Sequence, residues 1–181
     1  RLTGIGDGAR LGLTGFGASG HLVLQAVHYL FPAAEVYVFA RNPDERQLAL
    51  ELGAVWAGDT THRPGVALDA IIDTTPVWLP VIEALDCLKP AGRLVINAIR
   101  KEDIDQDQLA TRLSYHRHLW REKEVRTVAN VTRRDVREFL QLAAAAGLSP
   151  EVSAYDLEQA NQALVEIKTG RARGAKVLAI G

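Results

Sequence analysis

From its amino end the chain alternates short apolar runs with longer stretches in which apolar residues recur at helical spacing. Short apolar runs bounded by turn signals predict buried strands, and the longer period predicts helices packed by one face. Asp7-Gly8 predicts a turn and Arg10 to Thr14 a first strand. Ser19 to Phe31 reads as a helix with Leu22, Val23, Ala26, Val27 and Leu30 on one face, ended by Phe31-Pro32. Glu35 to Ala40 predicts a second strand. Asn42 then reads as an N-cap with Pro43 at the first helical position, and Leu48, Ala49 and Leu52 form the apolar face before Gly53. Ala54 to Trp56 gives a brief third strand and Leu68 to Asp73 a fourth. Val77, Trp78, Val81, Ile82, Leu85 and Leu88 form the next helical stripe, closed by Lys89-Pro90 and Gly92, before a fifth strand over Arg93 to Ile99.

Lys101 to Glu124 is charged and poorly periodic, and predicts a helical excursion with Leu109, Leu113 and Leu119 packed. Val125 to Val131 predicts a sixth strand, and Val136, Phe139, Leu140 and Ala143 mark a helix ending at Gly147. A different unit follows Ser149-Pro150: a helix carrying Leu157, Ala160, Leu164 and Ile167, a turn at Gly170 to Gly174, and a terminal strand over Lys176 to Ile180. Alternating strands and helices of these lengths imply βαβ units, and right-handed crossovers make of them an α/β, doubly wound parallel sheet of six strands. The expected division is a nucleotide-binding domain over residues 1–150 and a helix-strand tail over residues 151–181.

Composition narrows the class. The chain has 181 residues, 48% hydrophobic and 24% charged, with a formal net charge of −1. That profile fits a soluble globular domain with a substantial core and gives no basic excess for nucleic acid. No apolar run reaches membrane-spanning length. Cys87 is the single cysteine, which excludes an internal disulfide and a multi-cysteine metal site, and the expected setting is the cytoplasm. The chain begins at Arg1 and contains no Met, so it reads as a piece of a longer polypeptide.

The first apolar run ends in Gly15-Phe16-Gly17-Ala18-Ser19-Gly20, and the first helix pattern begins at once. Strand, glycine turn and helix in that order form the dinucleotide fingerprint. Gly15 would make the tight turn, Gly17 would let a pyrophosphate approach the backbone, and Gly20 would let helix and sheet pack closely. The N–H groups of Ala18 to Gly20 and the helix dipole would face the phosphates. The motif alone is weak evidence; its context is what counts here. An acid at the end of the second strand would hydrogen-bond the ribose hydroxyls of NAD, but this position is Ala40, followed by Arg41. A small residue and an arginine accommodate the 2′-phosphate of NADP, with Arg46 one helical turn on as a second candidate contact. NADP is therefore the favoured cofactor and NAD the alternative. Thr74 and Thr75 after the fourth strand, and Asn97 and Ala98 at the end of the fifth, could meet the nicotinamide ribose or carboxamide; Thr75-Pro76 reads equally well as an N-cap and first-turn proline.

Other polar residues favour plainer roles. His21 could lie near the pyrophosphate, but packing or capping at the helix start is the better reading. His116 and His118 lack a third ligand at a metal-binding spacing and are expected at the surface. Cys87 and Trp78 fall on the apolar helix stripe and are expected to pack. Asp69 and Asp73 share one strand, with Asp73 expected to bond loop backbone.

Several runs occur together in order: Leu-Gly-Leu-Thr-Gly-Phe-Gly-Ala-Ser-Gly-His, Ala-Leu-Glu-Leu-Gly-Ala, Leu-Asp-Ala-Ile-Ile-Asp, and Leu-Lys-Pro-Ala-Gly-Arg-Leu-Val. With the later Trp-Arg-Glu-Lys-Glu-Val-Arg-Thr-Val-Ala-Asn-Val-Thr-Arg-Arg-Asp-Val, Leu-Glu-Gln-Ala-Asn-Gln-Ala-Leu and Gly-Ala-Lys-Val-Leu, the chain resembles the zinc-dependent alcohol dehydrogenases of the medium-chain dehydrogenase/reductase superfamily. The resemblance covers essentially the whole chain. It implies a Rossmann cofactor domain of an enzyme that moves a hydride between a small alcohol or aldehyde and the nicotinamide. It also implies that zinc sits in an N-terminal catalytic domain absent from this sequence, so the chain alone would turn nothing over. The family's last stretch, here from about Glu151, completes that catalytic domain; without it the tail is expected to be disordered, repacked or covered by a neighbour. The edge of the sixth strand resembles the family's surface for homo-oligomers. The family's acid after the second strand is replaced by Ala40, and its glycine at the end of the fifth strand by Asn97 or Ala98. A stand-alone nucleotide-sensing module is the competing reading, and a methyltransferase is disfavoured by Ala40.

Overall fold

The computed structural model describes residues 2–169 and 174–180. Strands β1 (Arg10–Thr14), β2 (Glu35–Phe39), β4 (Leu68–Asp73), β5 (Leu88–Ile96) and β6 (Glu124–Thr127) join a short β3 (Trp56–Gly58) in one parallel sheet of order β3-β2-β1-β4-β5-β6. This is the doubly wound sheet expected from the alternation. Helices α1 (Gly20–Leu30) and α2 (Pro43–Glu51) follow β1 and β2, and α3 (Leu79–Cys87) follows β4. The sheet is buried on both faces, as parallel sheets are. One core joins Leu11, Leu13, Val36 and Val38 to Leu24, Val27 and Leu48 from α1 and α2. The other joins Phe39, Leu68, Ile71 and Leu94 to Val81, Ala84 and Leu85 of α3.

The boundaries differ from expectation where tertiary bonds override the local pattern. β3 begins at Trp56 rather than Ala54, because the Ala54 N–H closes the end of α2 on the Ala49 carbonyl. Trp56 then packs on Phe39 with ring centroids 5.0 Å apart. β5 begins at Leu88, passes through an irregular stretch opposite Asp69 and stops at Ile96, so Asn97, Ala98 and Ile99 lie in the loop beyond it. α3 has Trp78 at its N-cap and Pro80 in its first turn, which removes Thr75-Pro76 from that role.

The excursion after β5 holds a 3₁₀ turn (Asp103–Asp105), helix α4 (Gln106–Arg112) and a π turn (Tyr115–Leu119). Two expectations fail there. Leu113 is 38% exposed, whereas His118 is 1% exposed instead of lying at the surface. The His118 ring turns inward against α3: Nδ1 accepts the Ser114 N–H, and Nε2 lies 3.0 Å from Asp86 Oδ1. Arg63, Arg112 and Arg117 pair with Glu83 and Asp86 around it.

Helix α5 (Arg133–Ala146) has a Thr132–Asp135 capping box, ends at Gly147 and packs against α1, with no residue fully buried. Val136, Phe139 and Leu140 stay exposed. Beyond it the described residues of the tail form regular elements. Strand β7 (Val152–Asp156), which the sequence pattern does not predict, leads through a 3₁₀ turn (Leu157–Gln159) and α6 (Ala160–Lys168) to β8 (Ala175–Ala179). β7 and β8 pair as a separate two-stranded parallel sheet. Tyr155, Glu166 and Lys176 bond one another across this unit, which holds the Glu166 carboxyl down at about 2, chiefly through Lys176 and then Tyr155. Residues 170–173 of the expected turn lie outside the described residues. Among the described residues no helix is long and apolar enough to cross a membrane.

Candidate nucleotide site

The sheet order reverses direction between β1 and β4, and in such sheets ligands lie across the carboxyl ends of the strands at that point. The glycine turn stands there. Gly15 leaves β1 with φ at +80°, a conformation open to glycine, and its N–H bonds the Phe39 carbonyl at 2.9 Å. A Cβ on Gly15 would lie 2.9 Å from Thr74 Oγ1, and one on Gly20 would lie 2.9 Å from the Gly15 carbonyl. A Cβ on Gly17 would meet nothing within 4 Å. The two outer glycines are thus required by packing, whereas Gly17 faces open space. Ala18 and Ser19 are exposed beside it, and the Phe16 side chain is fully buried, so Phe16 offers the site only its backbone.

The start of α1 differs from those of α2 and α5. Asn42 caps α2, which carries Asp44 and Glu45 in its first turn, and Thr132 with Asp135 caps α5. α1 has no side-chain cap and no acid in its first turn. The first N–H groups of any helix lack intrahelical acceptors and sit at the positive end of its dipole. Here they open beside Gly17. His21 takes a structural role: its ring is buried, Nδ1 bonds the Gly17 carbonyl at 3.0 Å, and Nε2 accepts the Glu151 N–H at 3.1 Å. In this pattern Nδ1 is the donor and Nε2 the acceptor. Gln25 adds bonds to Ser149, so α1 ties the tail to the glycine turn.

At the end of β2, Ala40 is buried and Arg41 is exposed. Arg46 does not stand free beside Arg41. Its Nη1 donates to the carbonyls of Ala40 and Arg41, each at 2.8 Å, and the group lies 3.7 Å from Asp59. Arg46 therefore shapes the backbone that presents Arg41. Glu45 packs under the glycine turn, where burial pushes its carboxyl up against the opposing pull of the Phe16 backbone and the Arg41 charge.

Across the reversal point, Asp73 is 0% exposed and accepts from Thr14 Oγ1 at 2.6 Å and from Thr75 Oγ1 at 2.7 Å. Thr74 Oγ1 donates to the Thr14 carbonyl at 3.0 Å. The hydroxyls of Thr74 and Thr75 are thus engaged within the protein. Asn97 is exposed, Ala98 packs against the second core, and Ile99 is fully exposed beyond them. Lys101 points into the same end, a contribution the sequence pattern hides because it sits in a charged run.

The remaining polar candidates lie elsewhere. Asp69 is at the opposite, amino end of the strands; burial opposes its ionisation, but the Arg10 N–H and Lys89 hold its carboxyl below the usual range. Cys87 is buried on α3, and that burial pushes its thiol up. Among the described residues no three His, Cys, Asp or Glu side chains gather to hold a metal ion.

A family model for zinc-binding dehydrogenases matches residues 52–178. A probable alcohol dehydrogenase of Mycobacterium tuberculosis is 40% identical over 178 residues, covering 98% of this chain and 49% of that protein. The alcohol dehydrogenase of the archaeon Aeropyrum pernix superposes with a TM-score of 0.82 at 22% identity, over 98% of this chain and 52% of that one. A Helicobacter pylori CAD complexed with NADP(H) does so with a TM-score of 0.80 at 23% identity, over 98% and 49%. The chain spans about half the length of the curated relatives it matches.

Proposed function

Because the chain belongs to the zinc-binding dehydrogenase family, we propose that it supplies the nucleotide-binding half of a zinc-dependent alcohol or aldehyde oxidoreductase that prefers NADP(H). The observation that carries this reading is the start of α1, uncapped and free of acids, beside open space at Gly17. A pyrophosphate there would accept from the first-turn N–H groups of α1 and gain from the helix dipole. Ala40 leaves room for a 2′-phosphate, Arg41 offers it a guanidinium, and Arg46 holds the carbonyls on either side. The nicotinamide half would then lie over the ends of β4 and β5, beside Thr74, Thr75, Asn97 and Ala98. When bound, the cofactor supplies the nicotinamide carbon that gives or takes the hydride.

The protein's own residues bind and orient. In this reading the metal and the small alcohol or aldehyde are held by sequence corresponding to the unmatched half of the relatives. A cytoplasmic setting and a homo-oligomer built on the exposed edge of β6, where Val125 is uncovered, belong to the same reading.

Calorimetric titration of the full chain with NADPH and NADH tests it. NADPH is expected to bind about tenfold more tightly, a difference of roughly 1.4 kcal/mol. Arg41→Asp is expected to abolish or reverse that order. Equal affinities in the parent, or an unchanged order in the variant, would remove the role given to Arg41.

A further inference from the structure

The turn between β4 and α3, residues 74–78, has no regular structure, and its backbone is held from one direction by the segment that follows β5. Lys101 Nζ donates to the Thr75 carbonyl at 2.7 Å, the Val77 carbonyl at 3.0 Å and Asp73 Oδ2 at 2.5 Å. The Glu102 N–H bonds the Pro76 carbonyl at 2.6 Å. The Asp105 carboxylate accepts from the N–H groups of Trp78 and Leu79, capping α3 from outside the helix. On its other side the same turn meets the glycine turn, where Thr74 and Thr75 occupy the space a Cβ on Gly15 would need. Thr74 also donates twice, from N and Oγ1, to the last carbonyl of β1.

An ammonium has three protons to donate, and all three of Lys101's have partners within the protein. It is 10% exposed and its partner Asp73 is 0% exposed. A buried ion pair seldom adds net stability over apolar packing, because both charges are desolvated. What this pair does by geometry is fix one conformation of an otherwise irregular turn. We infer that Lys101 is a positioning residue for the nicotinamide side of the crevice, setting the 74–78 turn against Gly15 so that the crevice is shaped before a dinucleotide arrives. The inference rests on the reading of this crevice as a dinucleotide site.

The test compares Lys101→Met with the parent in the full chain, using two ligands. NADPH spans both halves of the crevice, whereas 2′,5′-ADP reaches only the side formed by the glycine turn and Arg41. Lys101→Met is expected to weaken NADPH about tenfold through lost preorganisation while leaving 2′,5′-ADP within about twofold. A general loss of structure would weaken both alike, and that outcome, or no loss for either, overturns the inference. Stripping the ammonium strands Asp73, so a second variant guards against misfolding. Asp105→Ala loosens the same turn without leaving a buried charge and should also weaken NADPH selectively. Asp105→Asn, which keeps an acceptor oxygen, should restore the parent affinity. Amide hydrogen exchange without nucleotide separates the positioning of the turn from the binding of nucleotide. Faster exchange over residues 74–79 in Lys101→Met, with α1 unchanged, is the expected result, and unchanged exchange there refutes the positioning role. A parent chain that binds neither ligand refutes the dinucleotide reading, while the exchange result still decides what Lys101 holds.

Discussion

Gly17 and Gly20 look alike in the sequence but differ in what surrounds them. An alanine at Gly20 drives its Cβ into the Gly15 carbonyl and to 3.2 Å from the Phe16 ring, whereas one at Gly17 meets nothing within 4 Å. Gly20→Ala is therefore expected to lower stability by about 1–3 kcal/mol in denaturant melts, as overpacking does. Gly17→Ala should leave the melt unchanged and weaken NADPH in calorimetry, since the methyl occupies the space proposed for the pyrophosphate. The opposite pattern would reverse the two roles. These differences are legible beforehand because a glycine motif encodes backbone geometry over a few residues. Arg46 was less legible: one turn after Arg41 it looks like a second phosphate contact, and only the folded chain shows its Nη1 held by the Ala40 and Arg41 carbonyls. Lys101 was not legible at all, because its three partners lie at the end of β4 and in the turn after it, more than twenty residues earlier.

Among the elements, β1 and β4 have the bounds expected from their apolar runs, because a strand buried on both faces declares itself in composition. β7 does not. Val-Ser-Ala-Tyr-Asp mixes small and polar residues in a strand that, among the described residues, pairs with β8 alone, and its one signal is the β-forming character of Val152 and Tyr155. The excursion after β5 misleads in the other direction. His118 stands in a charged run, yet it is buried against α3, and that burial holds its pKa below the ordinary histidine value against the opposing pull of Asp86. The unfolded chain then binds the proton more readily than the folded one. The ring's contribution to stability is fully present above the unfolded pKa and is lost as pH falls below it. Melting temperatures recorded from pH 7.5 to pH 5 should therefore fall more steeply for the parent than for His118→Gln. Parallel profiles would show that this ring does not titrate with unfolding.

For the whole molecule, the described residues divide unevenly. The six-stranded sheet has a core on each face, whereas the β7–α6–β8 unit buries only Ala163 and Gly174 among its described residues and leaves Leu157, Leu164, Ile167 and Ile180 exposed. Its attachment to the larger sheet runs through His21 and Gln25, which bond residues 149–151. Regions with few buried contacts open at low free energy, so amides of β7 and β8 should exchange well before those of β1 and β4. Uniform protection across both sheets would contradict the proposed division near residue 150. The sequence pattern proposes that division at Ser149-Pro150 but does not give the order within the tail, which depends on a pairing between strands about twenty residues apart. The proposed function also lives at this scale, since it requires the glycine turn, the end of β2 and the ends of β4 and β5 to serve one ligand. A crystal structure of the full chain grown with NADP tests that requirement most directly. The pyrophosphate is expected beside Gly17 at the first turn of α1 and the 2′-phosphate against Arg41. A nucleotide bound at any other face, or bound with its 2′-phosphate turned away from Arg41, would contradict it.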